Sequence, residues 1–165
     1  MIKNSHILFD TCILNNLLSK EFFLRDQTKL LFKELTNLGN ILYVSEFTKY
    51  ELLRDANLNK KMAFGELLNT FRVITNSRDR LERAVKLYES YKHEPSINSI
   101  LHSISDVDIF IGSLIFTDQK PYLLTADFAD FPRPFFVERD IFPIEFRRPR
   151  GNMNCLYYYL LQANI

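Results

Sequence analysis

The sequence has no tryptophan and few of the residues that interrupt regular structure. It contains four glycines and six prolines among 165 residues, and no low-complexity tract. Because disordered chains are poor in apolar residues, an apolar content of 47% argues against disorder except in the C-terminal tail. A chain of this length usually forms one domain with a real core. We therefore expect a single domain over residues 1–165, with a core of about 5–142 and a C-terminal extension of about 143–165.

An excess of charge of either sign is also missing, because 21 basic and 20 acidic side chains leave a net charge of +1. This balance neither indicates nor excludes a nucleic-acid partner, since a local basic patch is sufficient for binding. The two cysteines, Cys12 and Cys155, lack metal-site spacing, and we expect reduced, buried thiols. We expect no signal peptide, and no apolar run approaches the roughly 20 residues of a membrane span. These absences predict a cytoplasmic protein with no membrane partner.

Short apolar runs that end at polar residues predict buried parallel strands. They lie at 7–9, 41–44, 122–125 and 135–137, with a short strand or extended link at 73–74. Helical spacing follows several of them, with Asp26, Ser77 and Ser105 as candidate N-caps, a capping box at Thr48-x-x-Glu51, and Gly39 as a helix end. Strands alternating with helices predict an α/β fold with a parallel sheet.

Acidic residues occur where such a fold places its ligands, outside the carboxyl ends of the strands. The candidates are Asp10, Glu51, Asp106, Asp108, Asp127 and Asp130. Carboxylates drawn together repel, and a divalent cation removes that repulsion. Mg²⁺ prefers oxygen ligands, and such a site activates water for attack on a phosphodiester. The three histidines lie apart in sequence, so no zinc site is expected.

Each acid also has an ordinary structural explanation. Asp10 could cap the following helix, and Glu51 could be the partner in a capping box. Asp106 and Asp108 could oppose a helix N-terminus, and Asp127 and Asp130 could be turn residues. These explanations do not predict acids at all four points of one sheet edge. Asp106 and Asp108 are two residues apart on a predicted helix, so only one of them is expected to face the site.

Four motifs resemble those of the PIN-domain family, in particular the VapC-type toxins. They are ILFDTCILNNLL, YVSEFTKYELL, DVDIFIGSLIF and LLTADFADF, in the order that the family has, and they span about residues 7–131. The chain departs from the family in its bulkier third motif, with Phe110 and Phe116, and in its longer C-terminal tail.

The resemblance implies a three-layer α/β/α fold with a central, mostly parallel sheet of four to five strands. It also implies an Mg²⁺- or Mn²⁺-dependent endoribonuclease that hydrolyses RNA by a metal-activated water. Asp10, Glu51, Asp108 and Asp127 correspond to the family's metal-binding and catalytic acids, with Asp106 and Asp130 as alternatives. Asp108 is preferred because the Asp-x-x-Ile-small-small pattern fits it. Thr11 resembles the hydroxyl residue that supports the first acid, and Ser45 and Thr125 are expected to have similar supporting roles.

The predicted partners follow from the same reading. Candidate residues that would hold the RNA backbone are Lys120, Arg133, Arg147, Arg148 and Arg150. An antitoxin protein is a further expected partner if the chain is the toxin of a toxin–antitoxin pair. The tail at 157–161 could dock on a second subunit in a homodimer, although a terminal helix that closes the core is favoured. The alternative function is a catalytically inactive PIN domain that acts as an RNA-binding or protein-interaction module; a DNA-directed structure-specific nuclease is disfavoured by the short chain.

Overall fold

The computed structural model describes residues 1–54, 56–75, 77–79, 82, 121–128, 131, 136–147 and 153–163. The predicted helices that begin at Ser77 and Ser105 lie almost entirely outside these residues. Several candidate site residues also lie outside them, namely Asp106, Asp108, Lys120, Asp130, Arg133, Arg148 and Arg150.

The described residues form four helices and six strands in a mixed α/β fold. The helices are α1 (Thr11–Leu17), α2 (Phe22–Asn37), α3 (Glu46–Arg54) and α4 (Leu58–Leu68). The strands are β1 (His6–Phe9), β2 (Ile41–Ser45), β3 (Arg72–Ile74), β4 (Tyr122–Thr125), β5 (Phe136–Arg147) and β6 (Met153–Ala163). Among these helices none is long and apolar enough to cross a membrane.

The strands form one sheet in the order β3-β2-β1-β4-β6-β5. β1 pairs in parallel with β2 and β4, and β2 pairs in parallel with β3. β6 is antiparallel to both β4 and β5. The predicted α/β class with a mostly parallel sheet is confirmed. The predicted four to five strands were too few, because the described residues already supply six.

The additional strand comes from the C-terminal segment, where a terminal helix was expected. That prediction is wrong: β6 pairs with β5 along eleven positions, from Phe136 opposite Ala163 to Arg147 opposite Met153, with an irregularity between Glu138 and Asp140. Tyrosine-rich segments favour strands, and burial alternates here, with Tyr157 exposed and Tyr158 fully buried. Cys155 is exposed for the same reason, so the expected burial of this thiol is also wrong.

Helix α2 covers one face of the β5–β6 hairpin. Its buried residues, Leu24, Thr28, Leu31 and Leu35, recur at helical spacing on one side. The Thr28 hydroxyl donates to the Leu24 carbonyl at 2.8 Å and lies 2.7 Å from the Tyr158 hydroxyl. Burial raises the pKa of Tyr158, and the bond to Thr28 acts in the opposite direction. A satisfied polar contact thus joins the helix to the hairpin inside an apolar core.

The two ends of α2 differ in how well the sequence predicted them. The helix begins at Phe22, one turn before the predicted cap Asp26, so Asp26 lies within it. Its end at Gly39 is confirmed: Gly39 has φ of 75°, its amide donates to Thr36, and the Asn40 amide donates to Leu35. This is the pattern in which a residue of positive φ satisfies the last helical carbonyls.

Candidate functional site

Asp10 follows β1 directly and lies at the carboxyl edge of the sheet. It is only 8% exposed. Its Oδ2 accepts hydrogen bonds from the Thr125 hydroxyl at 2.6 Å and from the Cys12 thiol at 3.0 Å. Burial raises the pKa of Asp10, while donors from Cys12, Thr125 and the adjacent backbone amides act in the opposite direction. An ionised Asp10 therefore has an unfavourable environment that a bound cation would relieve.

Glu51 is brought to the same edge by Thr11, the first residue of α1. The Thr11 hydroxyl donates to Glu51 Oε2 at 2.8 Å, and both side chains are half-buried. Because Thr11 is the neighbour of Asp10, this bond links the second predicted acid to the position of the first. Thr11 was predicted to support the first acid, Asp10, but its hydroxyl contacts Glu51 instead.

The start of α3 differs from the capping box that the sequence suggested. Ser45, the last residue of β2, is the cap: its Oγ accepts from the Thr48 amide at 2.9 Å and lies 3.1 Å from the Thr48 hydroxyl. Thr48 is therefore not the cap, and Glu51 lies on the second turn of α3 rather than the first. Ser45 begins the helix that carries Glu51.

Thr125 connects Asp10 to the turn that contains Asp127. Its fully buried hydroxyl donates to Asp10 and accepts from the Asp127 amide at 2.9 Å. Asp127 itself is exposed at this edge. β1 and β4 are neighbouring parallel strands, which explains why residues 115 positions apart meet here. Of the four preferred acids, the structure brings Asp10, Glu51 and Asp127 to one edge, while Asp108 lies outside the described residues.

Cys12 belongs to this site, which the sequence did not indicate. Besides its bond to Asp10, its sulfur accepts from the Ala126 amide at 3.2 Å and lies 3.7 Å from the Thr125 hydroxyl. Burial raises the pKa of the Cys12 thiol, and the nearby negative charge of Asp10 raises it further. The group is thus a protonated thiol that acts as a hydrogen-bond donor. An Asp-x-Cys sequence after a strand carries no signal for these contacts.

The donor set is suited to a hard cation more than to zinc. It consists of carboxylate oxygens, and Mg²⁺ is usually held by one or two carboxylates together with water and substrate phosphate. Within the described ranges, no group of three or more His, Cys, Asp or Glu side chains is close enough to hold a metal ion. Arg147 is exposed at the far end of β5 and does not lie among the acids.

No family model matches the chain, and no curated protein is significantly similar to it. The geometry of the described residues and the four sequence motifs therefore carry the functional argument.

Proposed function

We propose that the chain is a metal-dependent endoribonuclease with a PIN-like, three-layer fold, which hydrolyses RNA phosphodiester bonds. One observation carries the proposal: at one edge of the sheet the Thr125 hydroxyl contacts both Asp10 and the amide of Asp127, and the Thr11 hydroxyl, next to Asp10 in the chain, contacts Glu51. Ordinary capping and turn roles do not require this convergence. Asp10 in particular is buried without a basic partner in any ion pair of the described residues, which is costly for a purely structural acid.

The residues have distinct roles in this proposal. Asp10, Glu51 and Asp127 would hold Mg²⁺ or Mn²⁺, with Asp108 or Asp106 completing the set. A bound divalent ion supplies Lewis-acid activation of water and neutralises charge on the phosphate. Thr125 and Cys12 hold the Asp10 carboxylate in one orientation, and Thr11 does the same for Glu51. Thr125 also accepts from the amide of Asp127, which positions the Asp127 backbone next to Asp10.

The test is cleavage of purified RNA in Mg²⁺, in Mn²⁺ and in EDTA. We expect cleavage with either metal and none with EDTA, and we expect Asp10→Asn and Glu51→Gln each to lower the rate by at least 100-fold. Glu34→Gln, an exposed acid of α2, is the matched control and should leave the rate unchanged. Cleavage that persists unchanged in Asp10→Asn and in EDTA would contradict the proposal.

The second candidate is a non-catalytic PIN domain that binds RNA or a protein. The hydrogen bonds that Asp10 Oδ2 accepts from Thr125 and Cys12 favour it, because they satisfy this oxygen without a metal. It predicts RNA binding without cleavage in every metal tested, and no loss of RNA binding in Asp10→Asn. The hypothesis that the chain is the toxin of a toxin–antitoxin pair is a special case of the nuclease proposal. It predicts that an antitoxin protein, co-purified with the chain, suppresses cleavage.

A further inference from the structure

The β5–β6 hairpin extends beyond the sheet on the side where the acids lie. Thr125 opposite Tyr159 is the last pair between β4 and β6, yet β6 continues back to Met153 and stays paired with β5. Since β4 ends at this edge, the segments 142–147 and 153–158 project past it. At about 3.4 Å per residue, six residues reach about 20 Å. The hairpin is thus an arm beside the candidate site.

The two faces of this arm differ in burial. Tyr158 points toward α2 and is fully buried against Thr28. Because side chains alternate along a strand, Tyr157 and Tyr159 lie on the opposite face, which they share with Thr125. Tyr157 is 48% exposed there and Met153 62% exposed. This second face is the one continuous with the candidate site.

Aromatic rings follow one another along that second face, starting at the acids. Phe128, one residue after Asp127, stacks on Tyr159 with ring centroids 5.1 Å apart and an interplanar angle of 28°. Tyr157 is two residues further along β6, or about 7 Å from Tyr159. A cavity of about 350 Å³ opens beside Phe128, lined there by Phe136, Val137 and Glu138. We define Phe128, Tyr159 and Tyr157 as the aromatic row.

The charges around the row are compatible with a phosphate backbone. Arg147 is exposed on the same face, at the end of β5, and the sequence between β5 and β6 holds Arg148 and Arg150. Glu145 is also exposed on this face and would oppose phosphate. Arg147 therefore lies toward the tip of the arm, and the aromatic rings lie between it and the acids.

We propose that the aromatic row binds the unpaired bases of single-stranded RNA by stacking and leads the strand from Arg147 to the acids. This inference rests on the proposed function, because it assumes that RNA is the ligand. Stacking on aromatic side chains is tolerant of sequence and requires bases that are not paired. The row accordingly selects single-stranded over double-stranded RNA.

The test measures binding in EDTA, so that cleavage plays no part. The probes are a fluorescently labelled 12-nucleotide RNA, the same RNA with 2-aminopurine at successive positions, and its duplex. We expect Tyr157→Ala and Tyr159→Ala each to weaken single-strand binding by about tenfold, with the phenylalanine substitutions restoring it. The 2-aminopurine emission should be quenched by the wild type and recover in the alanine variants. Duplex binding should change less than twofold.

Phe23→Ala is the matched control, since Phe23 is 54% exposed but lies on α2, behind the other face of the hairpin. It should bind RNA as the wild type does. Unchanged affinity and quenching in both tyrosine-to-alanine variants would overturn the proposal. So would a dimer of the wild type that dissociates in Tyr157→Ala with RNA affinity unchanged, because the face would then be an interface between copies of the chain. If stacking is found but no metal supports cleavage, the row stands and the nuclease proposal fails.

Discussion

Replacing the buried Asp10 carboxylate by a neutral amide should stabilise the fold while it abolishes activity. The side chain is 8% exposed, and burial is the largest influence on its pKa, which is raised above the ordinary 3.8. The folded state therefore holds the Asp10 proton more tightly than the unfolded state does. Asp10→Asn keeps the size of the side chain and an oxygen acceptor, but it removes the charge whose burial is unfavourable.

The pH dependence of this effect follows from the direction of the shift. Below pH 3.8 Asp10 is protonated in both states, and its contribution to stability is complete. As the pH rises through the raised folded-state pKa, the wild type loses that contribution, whereas the variant does not. The advantage of Asp10→Asn is thus smallest in acid and reaches its full value once Asp10 is ionised in the folded state.

The gain in stability is limited by the hydrogen bonds that the ionised Asp10 carboxylate accepts and that the variant would lose in part. Two donors, Cys12 and Thr125, contact Oδ2 within 3.0 Å, and bonds to a charged acceptor contribute about 1 kcal/mol more than bonds to a neutral one. Single stabilising substitutions commonly give about 0.5–2 kcal/mol. We therefore expect about 1 kcal/mol at pH 7.5 without metal. For a domain of this size, this corresponds to a rise of about 3 °C in Tm.

The assay is thermal unfolding in EDTA at several pH values between 4 and 8, followed by circular dichroism. Asp127→Asn is the control, because this exposed acid should change stability by less than about 0.5 kcal/mol. A lower Tm for Asp10→Asn than for the wild type at pH 7.5 would refute the reasoning. A difference in Tm that does not shrink toward pH 4 would refute it equally.

Three further predictions test other parts of the structure. Saturating Mn²⁺ should stabilise the wild type by about 2.7 kcal/mol at 100 times its Kd, with little effect on Asp10→Asn, in the same melting assay run without EDTA. A maleimide should modify the exposed Cys155 at least tenfold faster than Cys12, whose raised pKa leaves little thiolate; mass spectrometry of the digested protein decides this. Gly39→Ala should cost at least 1 kcal/mol in urea unfolding, because φ is +75° and the added carbon would meet Asn4 Oδ1.

The sequence predicted those elements whose signal is local. β1, β2 and β4 are continuous apolar runs, as strands buried on both faces of a parallel sheet are, and they were located within a residue or two. The end of α2 followed from Gly39, where the conformation requires a residue without a side chain. In these cases one residue type or one pattern determines the structure with no information about distant neighbours.

Elements decided by distant contacts were predicted less well. The segment that forms β6 has apolar and aromatic residues on both sides, which is compatible with a helix or a strand. Its strand conformation is selected by pairing with β4 and β5 and by the contact of Tyr158 with Thr28, 130 residues away. The start of α3 was predicted wrongly for a different reason. Ser45 is both the last residue of a strand and the cap of a helix, so no linker marks the boundary.

The same distinction applies to the candidate site, where some residue positions follow from the predicted topology and others depend on contacts that the sequence does not reveal. Topology alone brings Asp10 and Asp127 to one edge, because the parallel pairing of β1 and β4 places both strand ends there. The position of Glu51 depends on a rotation about the α3 axis, and one residue of shift would turn it by about 100°. The cap at Ser45 sets that rotation, and the bond from Thr11 is its consequence. A substitution at Ser45 should therefore change the position of Glu51 through the start of the helix.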